Sequence, residues 1–428
     1  MLEKLAKQTA VYGISTIVVR FLSYLLTPYY TRVFGQETYG VVTDIYALIP
    51  LALTLLTMGM ESSYFRFSAK AEEAGGDVKA AKRRLFATTW GVTSLAAAVF
   101  FLATAFFRDG IARMMGEAYV AHPEYVVWVG LIILFDVWAC IPFSRLREQG
   151  RAMTFVGLKA MNVVLNVALA FGFGAAGLFA TDFGVGWVFV ANLIASVVTW
   201  LAILGTADRT VPKINWALLA AIFAYSLPLL VGGLAGTANE FIDRQLIKYL
   251  VPEGAMAQLG IYGAITKIAV VMMLFYQMYR LAAEPFFLSN FRKSDFVAMN
   301  AAALKYYVMA SMLIFLGIAL FRDVFALIVG RSFREGIFIL PVVLGANVLT
   351  GVWLNRRYYP TPYDWRRIGE YVAAALAVFA VCEALTASAD NMFVSYAFNI
   401  VLFALYAAYL VRRERIDLGA MLRAFLHR

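Results

Sequence analysis

The chain has 428 residues, 62% of them hydrophobic, 15% aromatic and 15% charged. Soluble domains carry about 45–50% apolar and about 25% charged residues, so a disordered chain, a disulfide scaffold and an ordinary soluble enzyme are excluded. The net charge of +10, in so apolar a sequence, points to basic loops beside a membrane rather than to nucleic acid.

Apolar runs of about 20 residues match the length that crosses a hydrocarbon core. They predict an all-α polytopic membrane protein of about twelve transmembrane helices. The spans fall near 9–31, 40–65, 85–107, 124–144, 153–176, 184–206, 215–238, 259–288, 302–321, 336–355, 369–388 and 393–411. The first run is too long for a signal-peptide core and reads as a retained helix. Of the 37 Lys and Arg, 25 fall on the side of the N-terminus, alternate loops and tail, 8 on the other side, and 4 within spans. That bias places both termini in the cytoplasm of a multi-pass inner-membrane protein. The loops are too short to house a catalytic domain, so enzyme activity is not expected. Cys140 and Cys382 read as free core thiols, and His122 and His427 lie near a loop and at the tail, so no metal site or cofactor is expected.

Charges within hydrocarbon cost at least about 2.5–3.5 kcal/mol each, so every one needs a reason. Span 1 carries Thr16, Arg20, Ser23 and Thr27 on one helical face, which lines a wet interior or locks helices through carbonyl bonds. Span 2 opens near Asp44 and ends at Glu61, a gate or interface position. Asp136, near the centre of span 4, either exchanges a proton or forms a static ion pair, for example with Arg20. Span 5 sets Lys159, Asn162 and Asn166 on one face, with snorkelling as the alternative role for Lys159. Span 7 ends in Asn239-Glu240-Phe241-Ile242-Asp243-Arg244, where Glu240 and Asp243 are gating candidates or parts of an external cap. Span 8 bears Lys267, Gln277, Arg280 and Glu284, the last two spaced to neutralise each other.

One internal match stands out. Tyr39-Gly40-Val41-Val42-Thr43-Asp44-Ile45 aligns with Tyr262-Gly263-Ala264-Ile265-Thr266-Lys267-Ile268, and Glu61 then falls on Glu284. The copies open spans 2 and 8, as parallel six-helix repeats would. Asp44 and Lys267 thus hold equivalent places with opposite signs and form a candidate outer gate pair.

The stretch from Thr9-Ala10-Val11-Tyr12-Gly13 through Arg20 to Tyr30-Thr31-Arg32-Val33-Phe34 resembles the first helix of bacterial polysaccharide (O-antigen and capsule) flippases. These belong to the multidrug/oligosaccharidyl-lipid/polysaccharide exporter superfamily. Gly59-Met60-Glu61 with Tyr64-Phe65-Arg66-Phe67, the Asn239–Arg244 run, Arg280 to Phe287, and Tyr358-Tyr359-Pro360-Thr361-Pro362-Tyr363-Asp364 extend the likeness. The resemblance implies a two-lobed MATE-like exporter fold that moves undecaprenyl-pyrophosphate-linked oligosaccharide, as in lipopolysaccharide assembly. Such relatives place two further helices between the segments like Gly351–Asn355 and Tyr358–Asp364, and here the two adjoin. The expectation is a six-helix lobe at 1–210, a shortened lobe at 211–355, and a C-terminal helix pair with a basic tail at 356–428. Composition alone would instead make spans 11 and 12 the fifth and sixth helices of the second lobe.

A pyrophosphate head group needs a cationic hydrated path, for which Arg20, Lys159, Lys267 and Arg280 are the candidates. Coupling to a proton or sodium gradient or gating would fall to Asp44, Glu61, Asp136, Glu240, Asp243 or Glu284. The expected partners are the lipid-linked oligosaccharide, membrane lipids and a glycan polymerase or ligase complex. The competing readings are a cation-coupled multidrug exporter, which wants an acid-dominated cavity, and a non-transporting scaffold for glycan assembly. A membrane glycosyltransferase would want longer loops.

Overall fold

Helix ends follow from side-chain caps and left-handed residues. In the computed structural model, which describes residues 24–206, 213–279, 296–358, 362–387 and 392–415, every regular element is helical. Among the described residues ten helices are long and apolar enough to cross a membrane, and a bent pair makes an eleventh. The expected first span lies mostly outside the described residues; only its end, α1 (Leu26–Val33), is seen.

Helices α2 (Gln36–Thr57) and α3 (Met60–Ala74) form one 39-residue rod. At about 1.5 Å per residue the rod is roughly twice the thickness of a bilayer core, so the polar end of α3 stands clear of it. The rod is broken at Met58 (φ 50°) and Gly59 (φ 69°). Gly59 is needed there twice over, because a Cβ would meet the Ser226 carbonyl at 2.9 Å. Asp77 caps α4 (Val78–Phe106) by accepting from the Ala80 N–H. Two short helices, α5 (Arg108–Met115) and α6 (Glu117–Val120), cross to α7 (Glu124–Glu148). Then come α8 (Ala152–Ala175) and α9 (Gly186–Leu204).

Helices α4, α7 and α9 form the core of this part. Trp90 donates to the Trp138 carbonyl at 2.9 Å and Trp138 to the Ser94 carbonyl at 3.2 Å, so two indoles stitch α4 to α7. Buried hydroxyls return to their own helix: Thr89, Thr93 and Thr199 each bond the carbonyl four residues back. With no water in hydrocarbon, that is the nearest acceptor.

Asn215 caps α10 (Trp216–Leu250), and its own N–H is held by Thr88 of α4. Helix α10 packs antiparallel along α2 and α3, from Arg66 over the Tyr225 ring, through Gly59 and Ser226, to Asp44 with Gln245 and Lys248. This continuous seam explains a difference from the expected boundary at 210. The first compact unit runs through Gly263, and the second begins at Ala264.

Helix α11 (Ala255–Ile268) continues into α12 (Val270–Tyr279) across a 42° bend. Its first turns cross α2 with backbones almost touching. A Cβ on Gly40 would lie 2.0 Å from the Met256 oxygen, one on Gly260 2.0 Å from the Gln36 oxygen, and one on Gly263 2.2 Å from the Thr43 hydroxyl. The contacts of Gly260 and Gly263 lie within about a helical turn of the pairing that the Tyr-Gly repeat equates, and that of Gly40 about two turns from it.

The second unit is built on α13 (Phe296–Leu320), followed by α14 (Arg322–Ala326), a tight turn of helix at Arg331–Ile339, α15 (Leu340–Tyr358), α16 (Trp365–Ala387) and α17 (Met392–Arg413). Helices α16 and α17 pack chiefly on α13 and on each other, whereas in the first unit α9 packs on α7. Asn399 donates to the Leu320 carbonyl at 2.7 Å and Tyr406 to the Tyr371 carbonyl at 3.1 Å. Below them Glu414, nearly buried, accepts from Lys305 and Tyr371, with Arg367 at 3.5 Å.

Candidate functional site

Helix α7 carries a stripe of Asp136, Cys140, Phe143 and Arg147, spaced so that one face receives them all. The Cys140 thiol donates to the Glu61 carboxylate at the start of α3. Lys159 of α8 sits 4.2 Å over the Phe143 ring, within electrostatic reach of both Asp136 and Cys140. Arg147 lies 5.0 Å over Phe65 and also reaches Cys140, while Arg66, the next residue, lies 4.1 Å over Tyr225. Glu61, Asp136 and Lys159, which sequence reading treated separately, therefore share one cluster toward one end of the first unit.

The polar groups around Asp136 are satisfied from α9. Ser196 hydrogen-bonds Asp136, Asn192 donates to the Tyr46 hydroxyl at 3.3 Å, and Asn162 donates to Thr199 at 3.0 Å. Asp136 therefore has a hydroxyl and a lysine as neighbours. The expected partner Arg20 lies outside the described residues.

Arg66, Arg147 and Lys159 are exposed, and each rests on an aromatic ring. Among the described residues none of them has a carboxylate within ion-pair distance. An aromatic face holds a cation without consuming its hydrogen-bond donors. Such groups can receive a phosphate oxygen, arginine in a bidentate fork.

A second cluster lies at the opposite end. Asp44 is fully buried and accepts from Tyr119 at 2.6 Å, from Gln245 at 2.8 Å and from Lys248. Its cation in the first unit is thus Lys248 of α10. Both carboxylate oxygens are already taken inside the first unit. Burial, reinforced by the Asp44 charge, pushes the Tyr119 hydroxyl well above the usual phenol range and keeps it a donor. Lys248 lies over the rings of Tyr119 and Tyr249, and Tyr249 donates to the Met114 carbonyl at 3.2 Å.

Lys267 sits exposed on α11, in the second unit. Asp243 accepts from Tyr262 and pairs with Arg244 at 3.5 Å. Glu240 lies on α10 with its side chain outside the described residues, where Arg20, Arg280 and Glu284 also fall.

Sequence reading missed Arg147, Lys248, Gln245 and Tyr119, because it counted the two cations as loop charge. A longer internal repeat was the available signal. Phe107-Arg108-Asp109, Ala112, Gly116 and Tyr119 recur at the same spacing as Phe321-Arg322-Asp323, Ala326, Gly330 and Phe333. The backbones agree at its start: φ −96° and ψ 17° at Phe107, φ −107° and ψ 25° at Phe321. Ala112, Ala326, Tyr119 and Phe333 are all buried.

Comparison with known proteins adds the wider frame. The sequence matches a family described as polysaccharide biosynthesis protein over residues 5–291. An inward-facing multidrug resistance MATE family transporter of the MOP superfamily aligns over 96% of this chain and 99% of its own, at 15% identity and TM-score 0.65. The lipid II flippase MurJ, in an inward closed conformation, aligns over 95% and 100%, at 13% identity and TM-score 0.61. No curated protein matches the chain in sequence. The fold is that of the MOP-superfamily transporters.

Proposed function

Because the chain belongs to the polysaccharide biosynthesis protein family, we propose that it is a flippase for an undecaprenyl-pyrophosphate-linked oligosaccharide in the inner membrane. The observation that carries this reading is the ring-backed trio Arg66, Arg147 and Lys159, exposed and without carboxylate partners among the described residues. A pyrophosphate is multiply anionic, and its passage through hydrocarbon needs cations whose donors are open. Arg20, Lys267 and Arg280 are the further cations that the sequence offers for this role. The polyprenyl tail stays in lipid while the head group crosses by alternating access. No bond is made or broken, so the protein acts as a carrier and not as an enzyme.

Asp136 is the coupling group in this reading. It exchanges a proton as Lys159 changes between Asp136 and the substrate phosphate. Both termini face the cytoplasm, in keeping with the loop charges, and a polymerase or ligase receives the product outside. A cationic-drug exporter would want acids open to its site. Here Glu61 is engaged by Cys140, and Asp136 by Ser196 and the field of Lys159.

The test is complementation of surface glycan in a strain lacking the chromosomal copy. Replacing both Arg147 and Lys159 by alanine is expected to cut surface glycan about tenfold or more, since hydrogen bonds to charged groups carry about 1.5–3 kcal/mol each. Lipid-linked precursor should accumulate, and the swap Arg147→Lys with Lys159→Arg should retain most activity. Full surface glycan from an inserted double-alanine protein would overturn the proposal.

A further inference from the structure

The two copies of the Phe-Arg-Asp strap differ at one chemically telling place. Each follows the third span of its half, starts a short helix and buries a ring at its end, Tyr119 in one and Phe333 in the other. The first copy has a hydroxyl, and that hydroxyl bonds Asp44. The second lacks it, and the residue that the Tyr-Gly repeat equates with Asp44 is Lys267. Acid and phenol have therefore changed together, while the packing of the strap is common to both copies. The Asp44 set is an addition to the shared fold.

Its make-up suits a contact that forms and parts. A buried ion pair often holds a packed state no better than apolar residues would, and its best-attested use is to set register or to switch. Here Asp44 has three donors while the outer ends of α2 and α10 are together. If those ends separate and water enters, both charges are hydrated instead, so either state leaves them satisfied. The neighbouring crossing of Gly40 on Met256 and of Gly260 on Gln36 supplies a second contact at the same end, made by backbone alone.

We propose that Asp44, Lys248, Gln245 and Tyr119 form a latch that clamps the 108–120 strap and the outer ends of α2 and α10. The latch must part each time the outer end opens to release cargo. This rests on the transport reading and adds to it the control of the outer end.

The test uses the full chain with Cys140→Ser and Cys382→Ala and a reporter, Val42→Cys, at a buried position beside the crossing. Labelling of intact cells by a membrane-impermeant maleimide reports opening of the outer end. Lys248→Met is expected to raise the labelling rate about tenfold or more, and Tyr119→Phe, which recreates the Phe333 copy, a few-fold. The charge swap Asp44→Lys with Lys248→Asp should return the rate toward the parent. Unchanged labelling in both single variants, or a swap no closer to the parent than Lys248→Met, overturns the latch. If Lys248→Met does not insert, Tyr119→Phe decides alone. The two readings fail separately. Faster labelling with surface glycan independent of the protein keeps the latch and removes the flippase. Flat labelling with glycan lost in the Arg147 and Lys159 double variant does the reverse.

Discussion

Gly40→Ala probes the crossing of α2 and α11 most directly. The added Cβ would stand 2.0 Å from the Met256 oxygen and 2.9 Å from its carbonyl carbon, where Cβ contacts essentially never fall under 3.0 Å. Relief needs the helices to part by about 1 Å or more, and no side chain can rotate away because the obstacle is backbone. Gly260 faces the Gln36 backbone at the same 2.0 Å, so the whole crossing would move. Overpacking typically costs about 1–3 kcal/mol, and a backbone clash belongs at or above the top of that range. The assay is thermal unfolding of detergent-solubilised protein followed by size-exclusion fluorescence. A fall in midpoint on the order of 3–5 °C is expected. Gly232→Ala, where nothing lies within 4 Å, is the matched control and should be neutral or slightly stabilising. The double variant Gly40→Ala with Gly260→Ala should cost less than the sum of the singles, because one separation relieves both. A Gly40→Ala protein that melts with the Gly232→Ala control would refute the close crossing.

Two further outcomes are expected. Burial pushes the Glu414 carboxyl up, but hydrogen bonds from Lys305 and Tyr371 with the nearby Arg367 outweigh it and hold the group below its ordinary 4.5. A depressed folded value means that its stabilisation is complete above about pH 4.5 and is lost as pH falls through the lower folded value. Melting curves of the parent and Glu414→Gln should differ at pH 7 and converge only in strong acid; a constant offset across that range would contradict this. Gly59→Ala should lower the melting midpoint more than Gly236→Ala, since it meets both a left-handed backbone and the Ser226 carbonyl.

Much of this fold was legible because hydrocarbon enforces a simple rule: apolar runs of about twenty residues become helices. Spans 2 to 12 follow from that rule. The bend between Ile268 and Val270 does not, because no Pro or Gly marks it. The compact units divide at Gly263, a place the expected boundary at 210 does not mark. The seam that α10 makes with α2 and α3 depends on contacts between distant segments such as Thr54 with Gly233. The clusters were half legible. Asp44, Glu61, Asp136 and Lys159 drew notice as charges in apolar runs, while Arg147 and Lys248 lie at helix ends where cations are common. Tyr119 is one of 23 tyrosines, and only the doubled strap singles it out.

The α3 rod ends in a turn where Gly75 and Gly76 adopt φ of 71° and 74° with open space around both. Lys82 bridges Glu72 and Glu148 beside this turn, so α3, α4 and α7 are tied together independently of it. The tip can therefore accept foreign sequence without disturbing the helices beneath. A split fluorescent tag spliced between those glycines would light up in the compartment it enters and count the molecules there, turning a turn motif into a handle for imaging the working protein in living cells.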